Sequence, residues 1–294
     1  MIKRTVAIDN PSKLSVQDSQ LIIEQNGGIA GKIPIEDIGV LITDHPAVLY
    51  THIAITALVE NNAAVVFSAK NHHPAGLLLP LDTNSVQSER FRHQIEASHP
   101  IKKRLWQLTV RAKIINQANL LSKRDVEYER LNALAKKVKS GDPKNIEAQA
   151  ARFYWPRVFG EKFRRERRGP PPNNFLNYGY MILRAAVARS LVSSGLLPTL
   201  GIHHCNRYNA YCLADDVMEP FRPFVDLTVL KVLEKFDAVE DLTPKIKKVL
   251  LGTLTQTVSY KDQTRPLMIG LHQTTASIYR CFSGEQKTID YPVL

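Results

Sequence analysis

The sequence predicts an α+β chain in two parts, an N-terminal β-rich, sandwich-like domain over residues 1–84 and a larger all-α C-terminal domain over residues 85–294. Up to about residue 83 the apolar residues fall in short β-branched runs between turn residues. After Asn84 they recur at the 3.6-residue period of helices, broken only briefly. The chain is also long enough for two hydrophobic cores, since domains usually run ~100 to 200 residues.

Strands are expected at Val6 and Ile8, at Leu14 and Val16, at Leu21-Ile22-Ile23, and at Ile33 and Ile35. Ile38, Val40 and Ile42 alternate, and Ala64-Val65-Val66-Phe67 is a β-branched run between polar residues. Asp9-Asn10-Pro11 and Asn26-Gly27-Gly28 supply turns. One helix interrupts these strands, starting near Asp44-His45-Pro46, because Leu49, Ile53 and Ala57 recur every four residues before Asn61-Asn62. In the helical part Asn84 with Gln87 resembles a capping box, Gly141-Asp142-Pro143 separates two helices, and Thr243-Pro244 opens a later one. Leu176, Tyr180, Leu183, Val187 and Leu191 form the longest core-facing stripe, with Gly195 as its C-terminal cap. Arg164 to Pro172 is a basic run ended by stiff prolines, a loop by composition.

Hydrophobic residues at 44% and charged residues at 23% argue against disorder, and no apolar run approaches the ~18 residues of a membrane span. The charged N-terminus has no apolar leader, so export is not expected; three cysteines fit a reducing cytoplasm. Net charge is +11, from 39 Lys and Arg against 28 Asp and Glu. Residues 1–90 hold 6 basic and 9 acidic side chains, a balance of −3, so the remaining residues carry +14. This asymmetry favours a polyanion such as nucleic acid, against the plainer alternative of a solvated basic surface.

The Gly27 to Lys32 segment fails as a phosphate loop, because Asn26 replaces the first glycine and Ile33 the magnesium-binding hydroxyl. Neither a Gly-x-Ser-x-Gly elbow nor a Cys-x-x-Cys pair occurs. The segment richest in chemistry runs from Gly201-Ile202-His203-His204-Cys205 to Leu213-Ala214-Asp215-Asp216-Val217-Met218-Glu219-Pro220-Phe221-Arg222-Pro223. On a helix Asp216 and Glu219 share a face and Asp215 turns away. Two carboxylates and an imidazole suit a hard divalent ion, Mg²⁺ or Mn²⁺. Solvated acids beside a packed histidine, or zinc held by His203 or His204 with Cys205 and Cys212, are the alternatives. Glu147 lies beside the buried stripe Ile146, Ala150 and Phe153, so it either pairs with Arg152 or another arginine or binds a metal.

These segments together resemble the CRISPR-associated integrases of the adaptation module, the first of the universal CRISPR-associated proteins and also called endonucleases. The Glu147 segment, through Trp155, resembles the family's Glu-Gly-x-Ala-Ala-x-x-Tyr-Phe motif, with Ala148 in place of glycine. Gly201 to His204 is similar to its Gly-x-x-His, and Leu213 to Pro223 to its Leu-Ala-x-Asp-x-Met-Glu-Pro-Phe-Arg-Pro. Asn173 to Tyr180 resembles its Asn-x-x-Leu-x-x-Gly-Tyr helix; the wording is most like the form found beside type II systems.

The resemblance implies that Glu147, His204 and Glu219 ligate Mg²⁺ or Mn²⁺, with Asp216 behind them or as an alternate ligand. Counting from Gly201 selects His204 over His203. It further implies insertion of short DNA by attack of a 3′-hydroxyl on a repeat-edge phosphodiester, a homodimer built partly through the β-rich domain, and a complex with the small second CRISPR-associated protein. Arg164, Arg165, Arg167 and Arg168 are the first candidates for phosphate contacts to double-stranded DNA, with Lys245, Lys247 and Lys248 behind them. Tyr154, Trp155 and Tyr180 suit base stacking or, more simply, a helical core. A repair nuclease and a non-enzymatic DNA-binding scaffold are the alternatives.

Overall fold

The computed structural model describes residues 3–69, 74–167, 169–236, 240–260 and 263–294. Among the described residues eight strands and one α-helix come first. Strands β1 (Arg4–Ile8), β2 (Ser12–Gln17), β3 (Gln20–Gln25), β4 (Gly28–Pro34), β5 (Ile38–Thr43) and β6 (Val48–Tyr50) precede helix α1 (His52–Glu60), which leads to β7 (Ala64–Ser68) and β8 (Pro74–Leu78). They form two four-stranded sheets, ordered β1-β5-β7-β8 and β4-β3-β2-β6. Leu14, Leu21 and Ile23 of one sheet share a core with Ile8, Ile38, Leu41 and Val65 of the other and with Ala54 and Leu58 of α1. The sandwich-like expectation therefore describes this region.

Strand β5 is buried at every position, because it pairs in parallel with both β1 and β7 and is covered on both faces. Leu41 enters the strand-region core, while Val40 and Ile42, with Val66 of β7, enter the larger helical core. This central strand fixes the sheet against the helices.

The helix expected to start near Asp44 begins at His52 instead, capped by the Thr51 side chain. Val48–Tyr50 is a strand, because it pairs with Ser12–Leu14. The four-residue spacing of Leu49 and Ile53 is real but faces outward, leaving them 65% and 59% exposed; Ala54 and Leu58 are the buried pair.

The rest is helical: α2 (Gln87–Glu96), α3 (His99–Ser122), α4 (Glu129–Lys137), α5 (Ile146–Phe159), α6 (Asn173–Ser193), α7 (Cys212–Met218), α8 (Arg222–Lys235), α9 (Pro244–Leu251) and α10 (Leu267–Phe282). A short hairpin, β9 (Thr257–Tyr260) with β10 (Gln263–Pro266), interrupts them, and Val293 bridges to Ser259 beside it. Helix α6 is buried around most of its circumference, and all five residues of its expected stripe lie in the core. Gly179 lets α8 approach it, since a Cβ there would collide with Val225. Among the described residues no helix is long and apolar enough to cross a membrane.

Candidate metal centre

Glu147 sits in the first turn of α5, where local chemistry orders the backbone. Asn145 adopts a left-handed φ of 48° and its side chain accepts from Ala148 N, capping the helix. The Asp142 carboxylate accepts from the amides of Ile146 and Glu147 at 2.9 and 3.0 Å. Ile146, Ala150 and Phe153 are buried as the sequence predicts, so Glu147 faces along the edge of the core.

Glu219 lies in the short 3₁₀ turn between α7 and α8 and is 5% exposed. It meets Glu147 through a residue of a third element. Lys113 of α3 places its Nζ 2.5 Å from Glu147 Oε1 and 2.6 Å from Glu219 Oε2. Arg222 Nε donates to Glu219 Oε1 at 2.8 Å. The ammonium contact to Oε2 is close but not aligned as a hydrogen bond, so this buried oxygen keeps an unfilled acceptor site. Burial alone would raise the Glu219 carboxyl; Arg222 and Lys113 outweigh it and hold the group down at about 2. Burial would likewise lower the Lys113 ammonium, and the two glutamates instead hold it above its ordinary value.

The histidine pair divides into two roles. His203 stacks flat on Trp106, with ring centroids 4.2 Å apart and planes 3° from parallel. His204 meets the same indole edge-on, and its Nδ1 lies 2.5 Å from Asp216 Oδ1. Asp216 is wholly buried and also accepts the backbone amides of Ile202, His203 and His204 at 2.6, 2.9 and 3.2 Å. It therefore ties down the whole loop and leaves the imidazole Nε2 as the nitrogen not used by Asp216. That hydrogen bond, against the opposing effect of burial, raises the His204 pKa. Gly201 is required here because a Cβ would collide with the His204 carbonyl and come within 2.8 Å of the Asp216 carboxylate. Asp215 turns away, as helical geometry predicts, into a two-point contact with Arg184 at 2.6 Å for each oxygen.

The glutamates thus converge, His204 and Asp216 pair beside them, and the partner of Glu147 is Lys113 rather than Arg152. Among the described residues no three His, Cys, Asp or Glu side chains stand close enough to hold a metal as placed, so the ammonium is the cation between the carboxylates. For zinc through cysteines the geometry offers nothing: Cys205 is exposed, and the Cys212 thiol donates to the carbonyls of Asn206 and Asn209. Lys113 escaped sequence reasoning, although it falls on the same α3 face as Trp106, Val110 and Gln117, all buried. A lysine on a core-facing stripe signals a buried acidic partner.

The basic run is less uniform than its sequence. Arg165 and Arg167 line a cleft of about 570 Å³ together with Arg184, Arg222, Tyr180 and Tyr208. Arg165 is partly spent on Asn173 and Asn177, and Arg164 on the carbonyls of Glu161 and Phe163. Arg168 lies outside the described residues. Lys247 is no surface contact: it is 4% exposed and ion-paired with Asp44 at 2.5 Å. Tyr154 and Tyr180 are core residues whose hydroxyls donate to the buried Asp226 at 2.8 and 2.5 Å, so neither is free to stack on a base.

A family model described as "CRISPR associated protein Cas1" matches residues 6–256. The chain is 42% identical over 265 residues to the CRISPR-associated endonuclease Cas1 of Neisseria meningitidis serogroup C, covering 90% of this chain and 86% of that one. A solved casposase bound to integration product shares its fold at a TM-score of 0.80 and 20% identity, over 99% of this chain and 93% of that one. A solved Cas6-RT-Cas1–Cas2 complex matches at a TM-score of 0.76 and 20% identity, over 98% of this chain and 36% of that one. From the motif segments through the fold to these likenesses, the chain belongs to the Cas1 family of CRISPR-associated proteins.

Proposed function

We propose that this chain is a metal-dependent DNA endonuclease and integrase that joins the 3′-hydroxyl of a short incoming DNA to a phosphodiester at the edge of a CRISPR repeat. The observation that carries it is the approach of Glu147 Oε1 and Glu219 Oε2, from distant stretches of sequence, to one cationic point at 2.5 and 2.6 Å. Two carboxylate oxygens beside an imidazole fit a hard divalent ion. Glu147, Glu219 and His204 would hold Mg²⁺ or Mn²⁺. Such an ion supplies charge that polarises the phosphoryl oxygen and lowers the pKa of the attacking hydroxyl. Asp216 orients the imidazole through Nδ1 and keeps the Gly201 loop rigid, while Arg222 fixes the Glu219 carboxylate from its other oxygen.

The arginine-lined cleft runs up to Arg222, which touches Glu219, and suits a DNA backbone held without reading sequence. Arg165 and Arg167 are its phosphate contacts. Homodimerisation through the strand region draws support from Leu49 of the edge strand β6 and Ile53 of α1, both exposed. Partnership with the small second CRISPR-associated protein draws on the Cas6-RT-Cas1–Cas2 neighbour.

The scaffold alternative is favoured by one observation, that Lys113 and Arg222 already balance the two glutamates. Half-site integration on a repeat-containing plasmid decides between them. Branched products that need Mn²⁺ or Mg²⁺ and vanish in Glu219→Gln, with DNA binding retained, are expected; cleavage without branched products would leave only a nuclease, and no reaction at all a scaffold.

A further inference from the structure

We propose that Lys113 is a built-in counter-ion that a divalent metal must displace from between Glu147 and Glu219, so that this side chain sets how tightly the chain holds metal. The inference rests on the metal-site reading above and concerns a residue which that reading does not need.

The geometry places the ammonium, not the acids alone, at the shared point. Its Nζ is within 2.6 Å of one oxygen from each glutamate. Those distances match strong charge-assisted contacts and leave no room for a second cation between the same two oxygens. The charges balance without a metal: Glu147 and Glu219 carry two negative charges, and Lys113 and Arg222 two positive ones. A divalent ion entering while the ammonium stayed would leave an excess of two positive charges in a site where Glu219 is 5% exposed. The ammonium has to leave for the ion to be held.

Lys113 is suited to such a role in a way that Arg222 is not. An ammonium is a point charge on a flexible four-carbon stem and can withdraw by rotation, whereas Arg222 follows the Glu219 turn directly and grips the Glu219 oxygen that Lys113 does not touch. Lys113 also rides on α3, the helix whose Trp106 carries the stacked His203, so the counter-ion and the histidine loop are mounted on one element. The cost of moving the lysine lowers the apparent metal affinity by the fraction of molecules in which the cradle is vacant. A neutral side chain at position 113 removes that competition.

The test measures Mn²⁺ binding to the full-length, DNA-free protein by counting free Mn²⁺ with electron paramagnetic resonance, and in parallel the shift of the thermal midpoint with Mn²⁺. Lys113→Met is expected to bind Mn²⁺ at least about tenfold more tightly than the wild type. It should also be less stable without metal and recover in Mn²⁺, because the ion replaces the lost counter-charge. Lys113→Gln keeps an N–H donor between the carboxylates and serves if Lys113→Met does not fold; the same tightening is expected. Lys113→Arg, which keeps the charge, should bind no more tightly than the wild type. A purely structural lysine would give a stability loss that Mn²⁺ does not restore. If the wild type binds Mn²⁺, Glu219→Gln abolishes that binding, and both neutral variants bind no tighter, this inference falls and the metal site stands. If neither wild type nor neutral variants bind Mn²⁺, both fall.

Discussion

Two buried carboxylates seven residues apart on the same stretch of chain are satisfied in opposite ways. Glu219 is gripped by Lys113 and Arg222, which hold its carboxyl well below the ordinary carboxylate range, whereas Asp226 accepts the neutral hydroxyls of Tyr154 and Tyr180 and is pushed by burial up to about 6. Cationic partners keep an acid charged and therefore ready to hold a cation; hydroxyl partners hold it in place while leaving much of the desolvation cost uncompensated. Burial alone does not set the charge of an enclosed acid, and its company does.

The contrast is broken most directly by neutralising each acid in turn. Glu219→Gln is expected to lower metal-dependent nicking and joining by at least ~10³-fold with DNA affinity kept, while Asp226→Asn leaves the rate within about fivefold; gel assays of nicked and branched products measure both. A tenfold or larger loss in Asp226→Asn would erase the distinction. Asp216→Asn acts through the orientation of His204 and should cost ~10- to 100-fold, with the lost rate restored in part by excess Mn²⁺.

The pH dependence follows from Asp226. Its folded pKa lies above its unfolded value of 3.8, so its stabilising contribution is complete below pH 3.8 and is lost as pH rises through about 6. The loss amounts to roughly 3 kcal/mol, seen as a fall of roughly 5 °C or more in the thermal midpoint across that window. Asp226→Asn should flatten that component in a calorimetric pH series, and an unchanged profile would refute the assignment. Tyr154→Phe removes one donor to the buried carboxylate and should cost about 1–3 kcal/mol in chemical denaturation. The smallest effect is expected for Arg167→Gln, a weakening of DNA binding by a few fold, largest at low salt.

Much of the site was legible because its chemistry is local in sequence. Asn145 caps the helix that carries Glu147, the three-residue step from Asp216 to Glu219 keeps both acids on the inner side, and Gly201 precedes a loop that admits no side chain at that point. Lys113 was not legible as a partner, since it stands 34 residues before Glu147 and 106 before Glu219 and only packing brings the three together. Within the fold, the spacing of Leu49 and Ile53 suggested a buried helical face, and the strand pairing of Val48–Tyr50 overrode it. The β9–β10 hairpin was missed because four-residue strands barely establish alternation. The link between Tyr154, Tyr180 and Asp226 crosses three helices, and no spacing along the chain encodes it.

The ion pair of Lys247 with Asp44 joins α9 to the loop after β5, and both residues are almost wholly enclosed. Breaking such a pair costs about 3–5 kcal/mol. A swing of the strand-rich region about the 79–86 connection would have to break it, so this one buried contact opposes any shear of the sheets past the helices.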